Sequence, residues 1–159
     1  MRPGDHFITN DPWKGTGHLY DIVITSPAFH DGRLVALFSC TTHVVDIGGL
    51  GQSPDGRQVF HEGLFIPLPL VRAGSFDESL MRIVRANVRE SVQVEGDIHA
   101  LVACNQVGER RLSAMMTEHG IATLDALGEH IITRSAAGMA APSPPCRRAP
   151  GRGDADRRL

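Results

Sequence analysis

The chain has 159 residues, of which 42% are hydrophobic and 21% are charged, and its formal net charge at pH 7 is −2. This is the size and apolar content of one globular domain or of a piece of a larger one, and the sequence has neither a basic stripe for nucleic acid nor an apolar run of the roughly 20 residues that a membrane span needs. The first residues lack a signal-peptide pattern, and three widely spaced cysteines, Cys40, Cys104 and Cys146, favour a reducing compartment and a cytoplasmic location over a disulfide framework.

The first part of the chain is patterned for β-structure. Residues 5–9 form a short predicted strand, and residues 10–17 follow as a loop rich in turn-forming residues. Two longer runs rich in β-branched residues, 21–28 and 33–45, flank a turn at 29–32 that contains Asp-Gly, a strong hairpin signal. We therefore predict that these two runs pair as an antiparallel hairpin.

The hairpin brings three polar side chains near its open end. If the turn centres near His30 and Asp31, His18 lies opposite His43, and the Cβ atoms of opposed residues are about 5 Å apart. That distance suits two imidazoles on one ion, although a turn centred on Asp-Gly would shift the register by a residue or two. Asp21 would point to the other face of a regular strand, so all three converge only if the backbone between His18 and Asp21 is irregular.

The middle of the chain is predicted to be extended and loop-rich. Residues 46–58 form a long Gly-rich loop, of the kind that is often functional beside a rigid scaffold. Residues 59–70 are predicted to be extended, because Pro67 and Pro69 are incompatible with a helix or a central strand.

Helices are predicted for most of the remaining chain. Ser75 and Glu78 have the spacing of a capping box, which starts a helix over residues 76–87. A second helix is predicted over residues 92–119, and a weaker third is marked by Leu124, Leu127 and Ile131. One face of the second helix carries Val94, Ile98, Leu101, Asn105, Gly108, Leu112 and Met115.

The chain is predicted to belong to the α+β class. Residues 1–138 form the folded part, with a β-rich half over 4–70 that carries the metal-bearing hairpin and a helical half over 75–135. Residues 139–159 are rich in proline and arginine and contain little that could pack, so we predict a disordered tail.

His18, Asp21 and His43 are the candidates for a metal site. Imidazole and carboxylate groups are natural ligands for Zn²⁺, Mn²⁺ and Fe²⁺, and such an ion can polarise a carbonyl or lower the pKa of bound water. On spacing alone the pattern is weak, and the alternative is a loop histidine at 18 and a hydrogen-bonded strand histidine at 43. Asp46 and Asp11 could orient a ligand histidine or, equally, cap turns.

A series of ordered motifs resembles a known family. In chain order they are Gly4-Asp5-x-Phe7-Ile8-Thr9-Asn10-Asp11-Pro12, Gly17-His18-x-x-Asp21, His43-x-x-Asp46-x-Gly48-Gly49, Phe60-x-Glu62-Gly63-Leu64-x-Ile66-Pro67, Ala86-Asn87-Val88-Arg89, Gly96-Asp97 and Asn105-x-x-Gly108-Glu109-Arg110-Arg111. Over about residues 4–134 the chain resembles the hydantoinase B family, which includes the B subunit of N-methylhydantoinase, the C-terminal part of 5-oxoprolinase and the alpha subunits of acetone carboxylases.

The resemblance implies a metal-dependent enzyme subunit. Family members similar to acetone carboxylase hold an ion through a His-x-x-Asp and a downstream His, which correspond to His18, Asp21 and His43. A partner A-type subunit or domain would use ATP to activate a small-molecule substrate, and this subunit would complete the reaction near Mn, Fe or Zn. The implied activity is hydrolysis of a cyclic amide such as hydantoin or 5-oxoproline. The subunit would act within a hetero-oligomer and would bind neither nucleic acid nor a membrane.

Two departures from the family pattern keep other functions open. Family members are several times longer, so the resemblance implies an N-terminal fragment, and His43-Val44 stands where many members carry a His-His pair. The alternatives are a catalytically inactive remnant, a non-enzymatic interaction module in which the histidines are structural, and an acetone carboxylase-type carboxylation subunit.

Overall fold

The computed structural model describes residues 1–51, 53–67, 70–71 and 78–140, which fall into two compact units, Met1–Thr123 and the described part of Leu124–Leu159. The first unit contains strands β1 (His6–Thr9), β2 (Asp21–His30), β3 (Arg33–His43) and β4 (Leu70–Val71), a short 3₁₀ turn (Val59–His61), and helices α1 (Glu78–Asn87) and α2 (Ser91–Glu118). The second contains helix α3 (Asp125–Ala140). The strands form one antiparallel sheet in the order β3-β2-β1-β4, and the α+β class is confirmed.

The element boundaries differ from the predicted ones by a few residues. β3 ends two residues before the predicted end, and the segment that was predicted to be extended from residue 59 begins with the 3₁₀ turn. Met139 and Ala140 continue α3 because alanine favours a helix, so the predicted tail boundary at 139 is wrong. The predicted cap residue Ser75 and residues 141–159 lie outside the described residues.

The register of the hairpin corrects one prediction. Asp21, not His18, lies directly opposite His43. The turn centres on Asp31 and Gly32, which both have positive φ, as the tightest hairpin turns require. A further irregularity between Ala28 and Phe29 shifts the register by one more residue.

The core forms where the sheet packs against α1 and α2. Ile22 and Ile24 of β2 are buried together with Val84 of α1 and with Val94 and Ile98 of α2. Val94, Ile98, Leu101 and Asn105 of the predicted face of α2 are buried, whereas the fully buried methionine is Met116 rather than Met115. None of the helices in the described ranges combines the length and apolar content that a membrane crossing needs.

A polar network connects the sheet to α2 inside this core. The Asn105 side-chain amide donates to the Ile24 carbonyl at 3.0 Å and to Ser26 Oγ at 2.9 Å. Ser26 Oγ lies 2.7 Å from His6 Nδ1, and burial is the main cause that lowers the pKa of His6. Asn105 therefore provides a partner for buried polar groups of β2.

We expect Asn105→Ala to lower the free energy of unfolding by about 1–2 kcal/mol, because it removes two buried hydrogen bonds. Urea denaturation followed by circular dichroism measures this difference. Gln106→Ala, at the exposed neighbouring position, is the matched control and should change stability little. If Asn105→Ala and Gln106→Ala lowered the free energy of unfolding equally, the polar network would not be what stabilises the fold at Asn105.

Candidate metal centre

The open end of the β2–β3 hairpin places Asp21 beside His43. Asp21 is the first residue of β2, His43 is the last of β3, and the two are a cross-strand pair. His43 Nδ1 lies 2.8 Å from Asp21 Oδ1. The Val44 N–H donates to the Tyr20 carbonyl at 2.9 Å, so backbone pairing continues one step past the strands and fixes this end of the hairpin.

His18 reaches the same place from an irregular loop before β2. The loop turns between His18 and Asp21, and the buried Leu19 side chain anchors it in the core. His18 Nε2 lies 3.6 Å from Asp21 Oδ2. The irregular backbone that convergence of the three side chains requires is therefore present, although the register is not the predicted one.

The three side chains form a compact set of potential ligands. One donor atom from each of His18, Asp21 and His43 lies within 4.8 Å of the other two, and the imidazole centroids are 5.0 Å apart in an edge-to-face arrangement. These three side chains would hold a divalent ion, and their donor atoms would have to move closer together to bind it.

The residues fit a divalent cation on two grounds. The donor set is two imidazoles and one carboxylate, which suits Zn²⁺, Mn²⁺ and Fe²⁺. In addition, His18 Nδ1 is buried without a hydrogen-bond partner in the described part of the chain. A buried polar atom of this kind needs an explanation, and a divalent ion bound at Nδ1 would provide one.

The electrostatics of Asp21 favour its charged form. Burial alone would raise the pKa of the carboxyl group, but hydrogen bonds from Thr16 and His43 and the charges of His18 and His43 outweigh it, so the pKa is lowered. The carboxylate is therefore ionised at neutral pH.

Tyr20 supports His43 in a way that the sequence did not indicate. Its ring stacks on the His43 imidazole with a centroid distance of 5.3 Å and an interplanar angle of 16°. Tyr20 is buried, so it provides a fixed surface that limits rotation of the otherwise exposed His43 ring. No periodicity or motif singled out this aromatic residue.

Asp46 and Asp11 lie in turns near the site. Asp46 accepts hydrogen bonds from the Gly48 N–H, the Arg89 N–H and the Arg89 guanidinium. The Arg89 side chain is the main cause that lowers the pKa of Asp46 well below its usual range. The carboxylate that lies 2.8 Å from His43 Nδ1 is that of Asp21.

Asp11 has the geometry of a turn cap. Its Oδ1 accepts from the Trp13 N–H at 3.0 Å, and its Oδ2 lies 3.3 Å from Lys14 Nζ. Both aspartates therefore have the turn-capping geometry of the alternative interpretation, and their role in orienting a ligand stays a prediction.

A cavity of about 710 Å³ adjoins His18. Its wall includes Trp13, Arg57 and Glu62 in addition to His18. This volume is in the range of small-molecule sites. Glu62 and Arg57 were not predicted as site residues, because they are distant from His18 in sequence and only the fold brings them together.

Comparisons with known proteins agree on one family. The profile of the family described as Hydantoinase B/oxoprolinase matches residues 1–142. The caprolactamase subunit beta of Pseudomonas jessenii is 34% identical over 122 residues, 74% of this chain and 21% of that protein. The 5-oxoprolinase of Saccharomyces cerevisiae is 30% identical over 141 residues, 78% of this chain and 11% of that protein.

Solved structures give the same result at the level of the fold. The crystal structure of the ATP-dependent caprolactamase from Pseudomonas jessenii superimposes with a TM-score of 0.72 at 32% identity, covering 79% of this chain and 22% of that chain. A nucleotide-free acetone carboxylase superimposes with a TM-score of 0.69 at 23% identity, covering 79% of this chain and 17% of that chain. This chain thus spans about a fifth or less of the length of these relatives.

Proposed function

The chain belongs to the hydantoinase B/oxoprolinase family, and from this premise we propose that it carries the metal centre of an ATP-dependent cyclic amide hydrolase. The proposed ligands are His18, Asp21 and His43. The observation that supports this most directly is the convergence of these donor atoms within 4.8 Å of one another beside a cavity large enough for a small cyclic amide.

The residues of the site have separate tasks in this proposal. Asp21 stays ionised and lies between the two imidazoles, which it aligns through its two oxygens. Tyr20 limits rotation of His43, and His18 contributes to the cavity wall where the substrate would lie. A bound Mn²⁺, Fe²⁺ or Zn²⁺ would supply polarisation of the substrate carbonyl or a water of lowered pKa.

Hydrolysis is favoured over carboxylation by the relatives. Two of the relatives that are at least 30% identical are named caprolactamase subunit beta and 5-oxoprolinase, and both names refer to cyclic amides. The acetone carboxylase structure is 23% identical, so it supports the common fold and not a common reaction.

A partner subunit is part of the proposal. The caprolactamase relative is named subunit beta, which implies assembly with another subunit. We propose that the partner here is an A-type chain that uses ATP to activate the amide, after which the ring is opened beside His18, Asp21 and His43.

We expect ring opening of 5-oxoproline or caprolactam only when this chain, an A-type partner, ATP and a divalent ion are all present. Chromatographic detection of the open-chain amino acid and parallel measurement of ADP would test this. Chelation should abolish product formation, and added Mn²⁺ should restore it. ATP consumption without ring opening would instead favour the inactive remnant, and partner binding without bound metal would favour the interaction module.

A further inference from the structure

The backbone of Leu19, directly after His18, is held at its N–H and at its carbonyl by side chains distant in sequence. Glu62 Oε2 accepts the Leu19 N–H at 2.7 Å, and the Asn10 side-chain amide donates to the Leu19 carbonyl at 2.8 Å. Leu19 and Asn10 are almost completely buried. These contacts replace the ladder hydrogen bonds that a regular strand would provide at this position.

Glu62 is itself held by a rigid turn. Its N–H donates to the Val59 carbonyl at 3.0 Å, and the Leu64 N–H donates to the Ile47 carbonyl at 2.7 Å. Gly63 between them has φ +137, and a Cβ atom there would lie 2.1 Å from the Ile47 oxygen. Because the backbone is closely packed at Gly63, the backbone of Glu62 is held in place. Its side chain therefore reaches Leu19 from a fixed position.

His18 depends on this support more than the other two proposed ligands do. Asp21 and His43 lie on paired strands, but His18 lies in the loop before β2. Its side chain makes one described polar contact, at 3.6 Å to Asp21, and its buried Nδ1 has no partner in the described part of the chain. The placement of its backbone, from which the imidazole extends, therefore depends on the hydrogen bonds of Leu19.

We propose that Glu62 is a positioning residue for His18. By accepting the Leu19 N–H, it fixes the loop that presents the imidazole to Asp21 and to the cavity, and so sets the affinity of the site for a divalent ion. The inference rests on the proposed metal centre for its functional consequence, but the hydrogen bond to Leu19 can be tested without metal.

The test compares two substitutions of similar size. Glu62→Gln keeps a side-chain oxygen that can accept the Leu19 N–H, whereas Glu62→Met has nearly the same volume and no comparable acceptor. Glu118→Met, at the exposed end of α2, is the control. Amide hydrogen exchange of Leu19 is measured on metal-free protein, and Mn²⁺ affinity is measured by isothermal titration calorimetry.

We expect Glu62→Met to accelerate Leu19 exchange and to weaken Mn²⁺ binding by about 10-fold, the lower end of the loss seen when residues that orient a ligand are removed. Glu62→Gln should stay within a few-fold of the wild type in both measurements. A melting temperature matched between the variants would separate this effect from general destabilisation.

Unchanged Leu19 exchange in Glu62→Met would overturn the inference, and so would equal losses of affinity in the Gln and Met variants, because the negative charge rather than the hydrogen bond would then matter. If the wild-type chain binds no Mn²⁺, the proposed function fails, whereas Leu19 exchange still decides whether Glu62 holds the loop.

Discussion

Replacing Asp21 by Asn is expected to weaken divalent-ion binding by about 100-fold or more, the upper end of the loss seen when a residue that only orients a ligand is removed. Asp21 is the carboxylate of the proposed ligand set and lies between the two imidazoles, 3.6 Å from His18 Nε2 and 2.8 Å from His43 Nδ1. Asn keeps the shape of the side chain but removes the negative charge that attracts a divalent ion. Isothermal titration with Mn²⁺ measures the change.

The control for this substitution is Asp125→Asn in the first turn of α3, which lies in the other compact unit. It removes the same charge from a residue outside the proposed ligand set. The fold of Asp21→Asn should be preserved, because a partly exposed ion pair contributes only about 0–1 kcal/mol. Affinity of Asp21→Asn within twofold of that of the control would contradict the assignment of Asp21 as a ligand.

Replacing Asp46 by Asn is expected to lower the free energy of unfolding at pH 7 by about 2–3 kcal/mol, the scale of hydrogen bonds to charged groups. Asp46 is buried and accepts from the backbone N–H groups of Gly48 and Arg89. The substitution therefore weakens the link between the turn after β3 and the segment that joins α1 to α2. Urea denaturation of the two proteins measures the difference.

The same substitution should show a defined pH dependence. The Arg89 side chain holds the pKa of Asp46 below its usual range in the folded protein, so the stabilisation is present above about pH 4, where the carboxyl group of the unfolded chain is ionised. It is lost as the pH falls towards the folded-state pKa. The stability difference between wild type and Asp46→Asn should thus shrink from pH 7 to pH 3, and a constant difference would contradict this explanation.

Asp46→Asn also separates the two roles considered for this residue. If Asp46 acts only on the Arg89 link, the folded variant keeps the Mn²⁺ affinity of the wild type. If Asp46 orients His43, affinity falls by about 10-fold or more. Asp55→Asn, in an exposed loop, is the control for loss of charge.

Local patterns in the sequence located the β2–β3 hairpin and the helices. β-branched runs flanking Asp-Gly located the hairpin, and the spacing of Val94, Ile98, Leu101 and Asn105 located the buried face of α2, because both signals depend on residues close in sequence. The predicted register was wrong because the turn centres on Asp31 and Gly32, one residue later than assumed, and because the irregularity at Ala28 shifts the pairing by one more residue.

The long-range contacts of the site could not be predicted from local sequence patterns. Glu62 and Leu19 are 43 residues apart, as are Asp46 and Arg89, and no periodicity links such pairs. The grouping of His18, Asp21 and His43 was predicted from spacing and resemblance, but its geometry depends on the loop between Gly17 and Tyr20, whose conformation is set by contacts with Asn10 and Glu62.

The most direct measurement is the metal content of the purified chain by elemental mass spectrometry, beside the His18→Ala/His43→Ala double variant. We expect about one equivalent of Mn, Fe or Zn in the wild type and background levels in a double variant whose circular dichroism shows an intact fold. Equal metal content in the two proteins would place the ion elsewhere, and a folded wild type that binds no added Mn²⁺, Fe²⁺ or Zn²⁺ would contradict the metal centre.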